Sequence, residues 1–114
     1  MATIYKICEQ ELWRAAEAAG LFLGTEADER DGFIHFSTAG QLAETAAKHF
    51  AGKSELMLIA VDADALGLSL IWEHARGGDR FPHLYAVLPM AAVRWARPLR
   101  SRADGRHEFP ELEP

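Results

Sequence analysis

The chain predicts an α+β domain in which two principal helices surround a strongly curved or split, mainly antiparallel sheet. Three observations carry that expectation. Helical periodicity is confined to the first half of the 114 residues, at 9–19 and after Thr38, while strand-like runs dominate the second half. Residues 56–61 form a continuous apolar run of strand length, the pattern of a central strand covered on both faces. No regular alternation of strand and helix follows, which argues against a doubly wound parallel sheet.

Taken in order, residues 3–8 alternate as a strand, supported by Ile4 and Tyr5. Residues 9–19 follow as a helix. Leu12, Ala16 and Ala19 form its apolar line, Trp13 widens it as a core anchor, and Gly20 ends it. A brief strand is expected at 21–23. Residues 25–31 are polar and acid-rich, and read as an exposed loop lying beside the stretch that follows. That stretch, Gly32-Phe33-Ile34-His35-Phe36-Ser37-Thr38, reads as a short strand running into a helix. Alternation puts Phe33, His35 and Ser37 on one face and sends Ile34 and Phe36 towards the core. Thr38 is the expected N-cap, with Gln41 at capping-box spacing, and Ala39, Leu42, Ala43, Ala46 and Phe50 carry the helical stripe.

Gly52 and Ser54 then turn the chain into the central strand. Residues 62–67 read as one helical turn capped by Asp62 or Asp64, and residues 68–73 return as a strand ending in Trp72-Glu73. A glycine-bearing connector at 76–80 leads to Phe81-Pro82-His83-Leu84-Tyr85. There Pro82 favours an extended Phe81, and alternation places His83 and Tyr85 on one side. Residues 88–90 turn, and 93–99 form a last strand, set at an edge by Pro98. A single domain is expected over residues 1–100, with 101–114 a charged, proline-bearing tail or loosely docked extension.

Composition narrows the function classes. With 49% apolar and 25% charged residues, the chain is ordinary globular protein, long enough to bury roughly two-thirds of its unfolded surface. A net charge of −5 argues against a broad nucleic-acid surface or adhesion to acidic lipid, while leaving room for a local phosphate site. Cys8 is the only cysteine, so no disulfide framework is implied. The first residues lack a secretory pattern and no stretch is long enough to span a membrane, so a cytoplasmic location is expected.

Among chemistries, a Ser-His-Asp hydrolase fits poorly: Ser37 lies two residues from His35, and no Gly-x-Ser-x-Gly elbow is present. Cys8, beside a strand end, reads as a small buried residue. His35, His49, His74 and His83 lack zinc-ligand spacing, and Asp62 and Asp64 have no further ligands, so no metal is predicted. Walker and dinucleotide glycine fingerprints are absent. What remains is a neutral-imidazole site: His35 with Ser37, a wall of Phe81, His83 and Tyr85, and Glu73 as candidate carboxylate. Free backbone N–H groups where strand meets helix suit a phosphate. Each group also has a plainer reading: a core histidine bonded to a carbonyl, a Tyr-His pair closing a sheet edge, a surface glutamate.

The succession Gly-Phe-Ile-His-x-Ser-Thr at 32–38, Gln41, the apolar strand ending Val61-Asp62, Trp72-Glu73 and Phe-Pro-His-Leu-Tyr at 81–85 resembles a family of small bacterial proteins, domain-of-unknown-function family 952. The resemblance covers nearly the whole chain up to about Leu99. It implies an ADP-ribosyltransferase-like fold and no established activity. Members of that superfamily hold NAD in a cleft of a split sheet. Carried over, the resemblance implies His35, Ser37 and Thr38 at the base of the cleft, Tyr85 stacking on a flat ring, and Glu73 as the late acid. Residues 33–37 also resemble the His-x-His-Leu-Ser stretch of RNA 2′-phosphotransferases, with Phe33 replacing the first histidine. Lys6 stands where related sequences often carry a histidine, and the arginines of those enzymes have no match here.

Two functions follow as expectations. The first is a nucleotide-binding domain for NAD or an ADP-ribose-like ligand, related to ADP-ribosyl- or RNA 2′-phosphotransferases. In it His35 and Glu73 are catalytic, and Ser37, Thr38, Phe81, His83 and Tyr85 bind the cofactor. The second is a non-catalytic small-molecule or peptide-binding module that kept the cleft without the chemistry. Both require His35 and Tyr85 to open into one hollow.

Overall fold

In the computed structural model, which describes residues 2–75 and 77–114, the chain begins with a strand that turns directly into a helix. Arg76, at the start of the expected connector, and Met1 lie outside the described residues. Thr3–Glu9 form β1 and Gln10–Ala19 form α1, which buries Trp13 and Ala16. Gly20, at φ +86°, ends the helix by returning its N–H to the carbonyls of Ala16 and Glu17. The chain continues through β2 (Leu21–Phe22), α2 (Glu26–Asp31), β3 (Ile34–His35) and α3 (Leu42–His49). After β4 (Leu56–Asp62) a 3₁₀ segment over Ala63–Ser69 leads to β5 (Leu70–His74) and β6 (Arg80–Leu84). Finally come β7 (Leu88–Pro89), β8 (Val93–Ser101) and β9 (His107–Glu108).

All the strand pairings among the described residues are antiparallel. A four-stranded sheet runs β1-β4-β8-β9, a three-stranded sheet runs β3-β6-β5, and β2 pairs with β7. Tyr5 and Ser37 exchange both backbone hydrogen bonds, at 2.8 and 2.9 Å, and so stitch the larger sheets together at the edge of β1. The result is a mixed α/β domain with a curled antiparallel sheet and few helices.

β4 is central, as its uninterrupted apolar run requires. One face of the four-stranded sheet buries Ile4, Cys8, Ile59 and Val61 against Trp13, Phe22, Ile34, Phe36 and Leu84. The other buries Tyr5, Ile7, Leu58 and Ala60 against Leu42, Ala46 and Leu99. Pro98 pairs with Met57 on one side, while β9 meets β8 only at Arg100 and Ser101, so the outer side of β8 beside Pro98 carries no strand.

Three differences from the sequence-based expectation have physical causes. Residues 26–31, expected as a loop, form α2, because Thr25 and Asp28 make a complete capping box that the absence of an apolar stripe conceals. The helix expected after Thr38 starts at Leu42, with Gln41 rather than Thr38 at its N-cap. The segment expected as a tail is held to the second core: Phe109 and Leu112 pack there, and the Tyr5 hydroxyl both donates to the Glu113 carbonyl and accepts from its N–H. The His107 ring, buried, donates from Nε2 to the Lys53 carbonyl at 2.8 Å. No helix among the described residues is long and apolar enough to cross a membrane.

Candidate functional site

The site is built on the outer face of the three-stranded sheet. Ile34 and Leu84 are directly opposed in the β3–β6 register and both point into the core. Their neighbours His35 and His83, also opposed, are therefore turned together to the other face, where His35 is partly exposed and His83 is buried. Their ring centroids stand 5.5 Å apart, nearly edge to face. Phe33, just before β3, fills the space above them. Its ring lies 4.0 Å from His83 in a stacked arrangement, 4.5 Å from His35 and 5.2 Å from Tyr85.

Each imidazole is held at Nδ1 by a carboxylate. His83 Nδ1–H donates to Glu73 Oε1 at 2.8 Å, and the Tyr85 hydroxyl donates to the same oxygen at 2.6 Å. The Tyr85 and then the His83 hydrogen bonds hold the Glu73 carboxyl below its ordinary value, and the shared proton raises the Tyr85 phenol.

The second carboxylate, Asp28, is nearly sealed from water and gathers four donors. His35 Nδ1–H reaches Oδ1 at 2.6 Å and His35 backbone N–H the same atom at 3.1 Å. Thr25 N–H reaches Oδ2 at 2.8 Å, and the buried Lys6 ammonium lies 2.9 and 2.8 Å from the two oxygens. Burial alone pushes the Asp28 carboxyl up. The His35 hydrogen bond, the Lys6 charge and the bonds from Lys6 and Thr25 outweigh it and hold Asp28 well below the usual carboxylate range. Burial pulls the Lys6 ammonium below the ordinary lysine value, opposed by the Asp28 charge and hydrogen bond and by Cys8.

Two glycines set this geometry. Gly24, at φ +110°, passes so close to Asp28 that a Cβ there would stand 2.8 Å from the Asp28 Cβ. Gly32, at φ +86°, ends α2 and returns the chain into β3, which lays α2 over His35. The consequence is a second carboxylate contact: Asp31, the last residue of α2, places Oδ2 3.0 Å from His35 Nε2.

Of the residues predicted from the sequence, His35, His83, Tyr85 and Glu73 converge. Phe81 is half-buried and opposes Glu73 in the β5–β6 register. Ser37 does not join them: it is buried, and its hydroxyl bonds Thr45 Oγ1 at 2.9 Å, because the Tyr5 bridge draws it towards α3 and the second core. Thr38 is also diverted. Its N–H, expected to receive a phosphate, donates to Gln41 Oε1 at 3.0 Å, and α3 begins only at Leu42. The expected hollow between His35 and Tyr85 is occupied by Phe33, leaving an open aromatic face rather than a cleft. Two surface hollows lie elsewhere, one of about 400 Å³ beside Trp13 and Trp95 and one of about 300 Å³ beside Leu70 and Trp72.

Sequence reasoning missed Asp28, Asp31 and the Lys6 pair. The Thr25-Glu26-Ala27-Asp28 spacing of a capping box was the available signal for Asp28.

The comparisons with known proteins agree with the family resemblance. The chain is 48% identical to protein CC0527 from Caulobacter crescentus in its X-ray crystal structure, over 93% of both chains, with a TM-score of 0.90. Against the solution NMR structure of CC0527 the identity is 49%, covering 93% of this chain and 91% of that one, with a TM-score of 0.83. No curated protein matches. Residues 7–96 match the family of proteins of unknown function DUF952, and the chain belongs to that family.

Proposed function

We propose that, in place of the expected hollow between His35 and Tyr85, the aromatic face of β3, β6 and β5 binds a nucleotide-like ligand of the NAD or ADP-ribose type, on a domain with an ADP-ribosyltransferase-like fold. The curled antiparallel sheet, split into two larger parts that the Tyr5–Ser37 bridge joins, supports the fold reading. One observation carries the ligand reading: Phe33 and Tyr85 present aromatic surface beside a Glu73 carboxylate already ordered by two hydrogen bonds. A planar cation such as a nicotinamide ring gains from aromatic faces and from a nearby negative charge. Ribose hydroxyls find acceptors in the carboxylates.

The residues divide the work. Tyr85 and Phe33 orient the flat ring, with Phe81 at the border. His83 and the Tyr85 hydroxyl fix the direction of Glu73, and His35 holds the sugar or its phosphate. In the transferase version Glu73 faces the positive charge that develops at the ribose carbon as nicotinamide departs, an electrostatic role needing no movement of the carboxylate. Ser37 has no part, since its hydroxyl bonds Thr45, and the Thr38 N–H is taken by Gln41.

A second reading, binding without turnover, is favoured by a specific feature: Glu73 Oε1 accepts from two protein donors at once. Calorimetric titration with NAD, ADP-ribose and a phosphorylated RNA end, followed by chromatographic assay for nicotinamide, separates the readings. Heat with nicotinamide release supports a transferase-related domain, and heat without release supports the module. No heat at millimolar ligand overturns both nucleotide readings.

A further inference from the structure

We infer that the outer nitrogen of His35 is an oxyanion subsite for a phosphate group, and that Asp31 is its built-in occupant. The imidazole is oriented from within: Asp28 takes Nδ1 at 2.6 Å, so Nε2 is the atom presented outward. There it meets Asp31 Oδ2 at 3.0 Å. Asp28 is hydrogen-bonded at Nδ1, whereas Asp31 stands within ion-pair range of Nε2 without hydrogen-bond alignment. A ring protonated at Nε2 therefore keeps that N–H available to another anionic oxygen, whatever molecule supplies it.

The two aspartates differ in what holds them. Asp28 is buried under four donors and cannot leave without stranding Lys6. Asp31 is 38% exposed at the end of α2, and its other contact is an exposed Arg30 Nε at 3.4 Å. Surface ion pairs of this kind are weak, so an incoming phosphate displaces Asp31 at little cost. His35 itself is 37% exposed and has room to be approached.

The placement also orients a ligand. Phe33 stands against both His35 and Tyr85, its ring 4.5 and 5.2 Å from theirs, and Tyr85 carries Glu73 with it. A molecule with an anionic end and a flat cationic end therefore spans the face with its charges matched. This orientation rests on the nucleotide reading above, whereas the subsite itself does not.

The test follows the His35 ring nitrogens by NMR in wild type and Asp31→Ala, with inorganic phosphate, nicotinamide mononucleotide and nicotinamide riboside as probes. Phosphate and the mononucleotide are expected to move the His35 Nε2 resonance, and Asp31→Ala to bind phosphate up to about fivefold more tightly, with thermal stability lowered by only a few degrees. Asp31→Ser gives the same comparison should alanine disturb the helix end. Unmoved His35 resonances in wild type and variant at 50 mM phosphate (roughly saturating for a weak oxyanion contact) overturn the subsite. Equal affinity for riboside and mononucleotide also overturns it, leaving the nucleotide reading in place. A phosphate response without nucleotide binding supports the subsite and removes the nucleotide reading.

Discussion

Replacing Asp28 by asparagine tests the centre of the site with a change of one atom. The variant keeps the side-chain volume and one acceptor, but removes the negative charge facing Lys6, which is 6% exposed. A buried ion pair broken from one side leaves an uncompensated charge, at a cost of about 3–5 kcal/mol. Typical domains are stable by about 5–15 kcal/mol, so Asp28→Asn is expected to remove roughly a fifth or more of the total. Urea titration with tryptophan fluorescence measures it, at an m-value equal to that of wild type. Adding Lys6→Met removes the stranded cation, and the double variant should recover most of the loss. The pH dependence has a defined sign. Asp28 is held below its unfolded value near 3.9, so the unfolded chain takes up the proton first on acidification. Its contribution is complete above about pH 5 and fades as pH falls through the folded value, so wild type and Asp28→Asn converge in acid. A loss under 1 kcal/mol at pH 7, or a double variant no more stable than the single, would refute the account of Asp28 as an electrostatic hub.

Three further outcomes are expected. Gly24→Ala forces a Cβ to within 2.8 Å of the Asp28 Cβ at φ +110°, and should destabilise by more than about 1 kcal/mol in the same denaturation assay. Tyr85→Phe removes the main influence lowering Glu73, so the Glu73 carboxyl, followed by carbon-detected NMR titration, should move back up towards its ordinary value. Burial pushes the Cys8 thiol up to about 12, so the folded protein should resist iodoacetamide at pH 8, with alkylation appearing only on unfolding.

The elements legible in the sequence were those whose burial writes a period. The run at 56–61 announced β4, and the Leu12–Trp13–Ala16 pattern announced α1, though Leu12 itself stays partly exposed. The pairing of His83 with Tyr85 followed from strand alternation alone. Alternation failed at Ser37, because strand β3 ends at His35 and the backbone then turns to bridge Tyr5, a contact 32 positions away that no local pattern encodes. Lys6 was unreadable for a related reason. A lysine within an apolar strand is neutral information until the buried carboxylate opposite is known, and Asp28 lies on a helix too short to show a stripe. The C-terminal residues misled through composition: Phe109 and Leu112 are sparse among charges, yet two are enough to dock the segment when the Tyr5 hydroxyl bonds Glu113 on both sides.

The pairing of the two histidines is a consequence of packing rather than of any interaction between them. Ile34 and Leu84 enter the first core, and a slip of one residue in the β3–β6 register would expose one of them. Burial of those two side chains thus fixes the histidine pair opposite each other, at a cost already met by the core. The carboxylates then arrive from separate elements, Glu73 from β5 and Asp28 from α2, each attached at Nδ1. Anchoring both rings on the same nitrogen directs both Nε2 atoms away from their carboxylates, and a ring so fixed loses little further freedom when a ligand binds. The selectivity of the face is therefore concentrated in what covers those outer atoms, and at His35 that cover is a single exposed aspartate, Asp31.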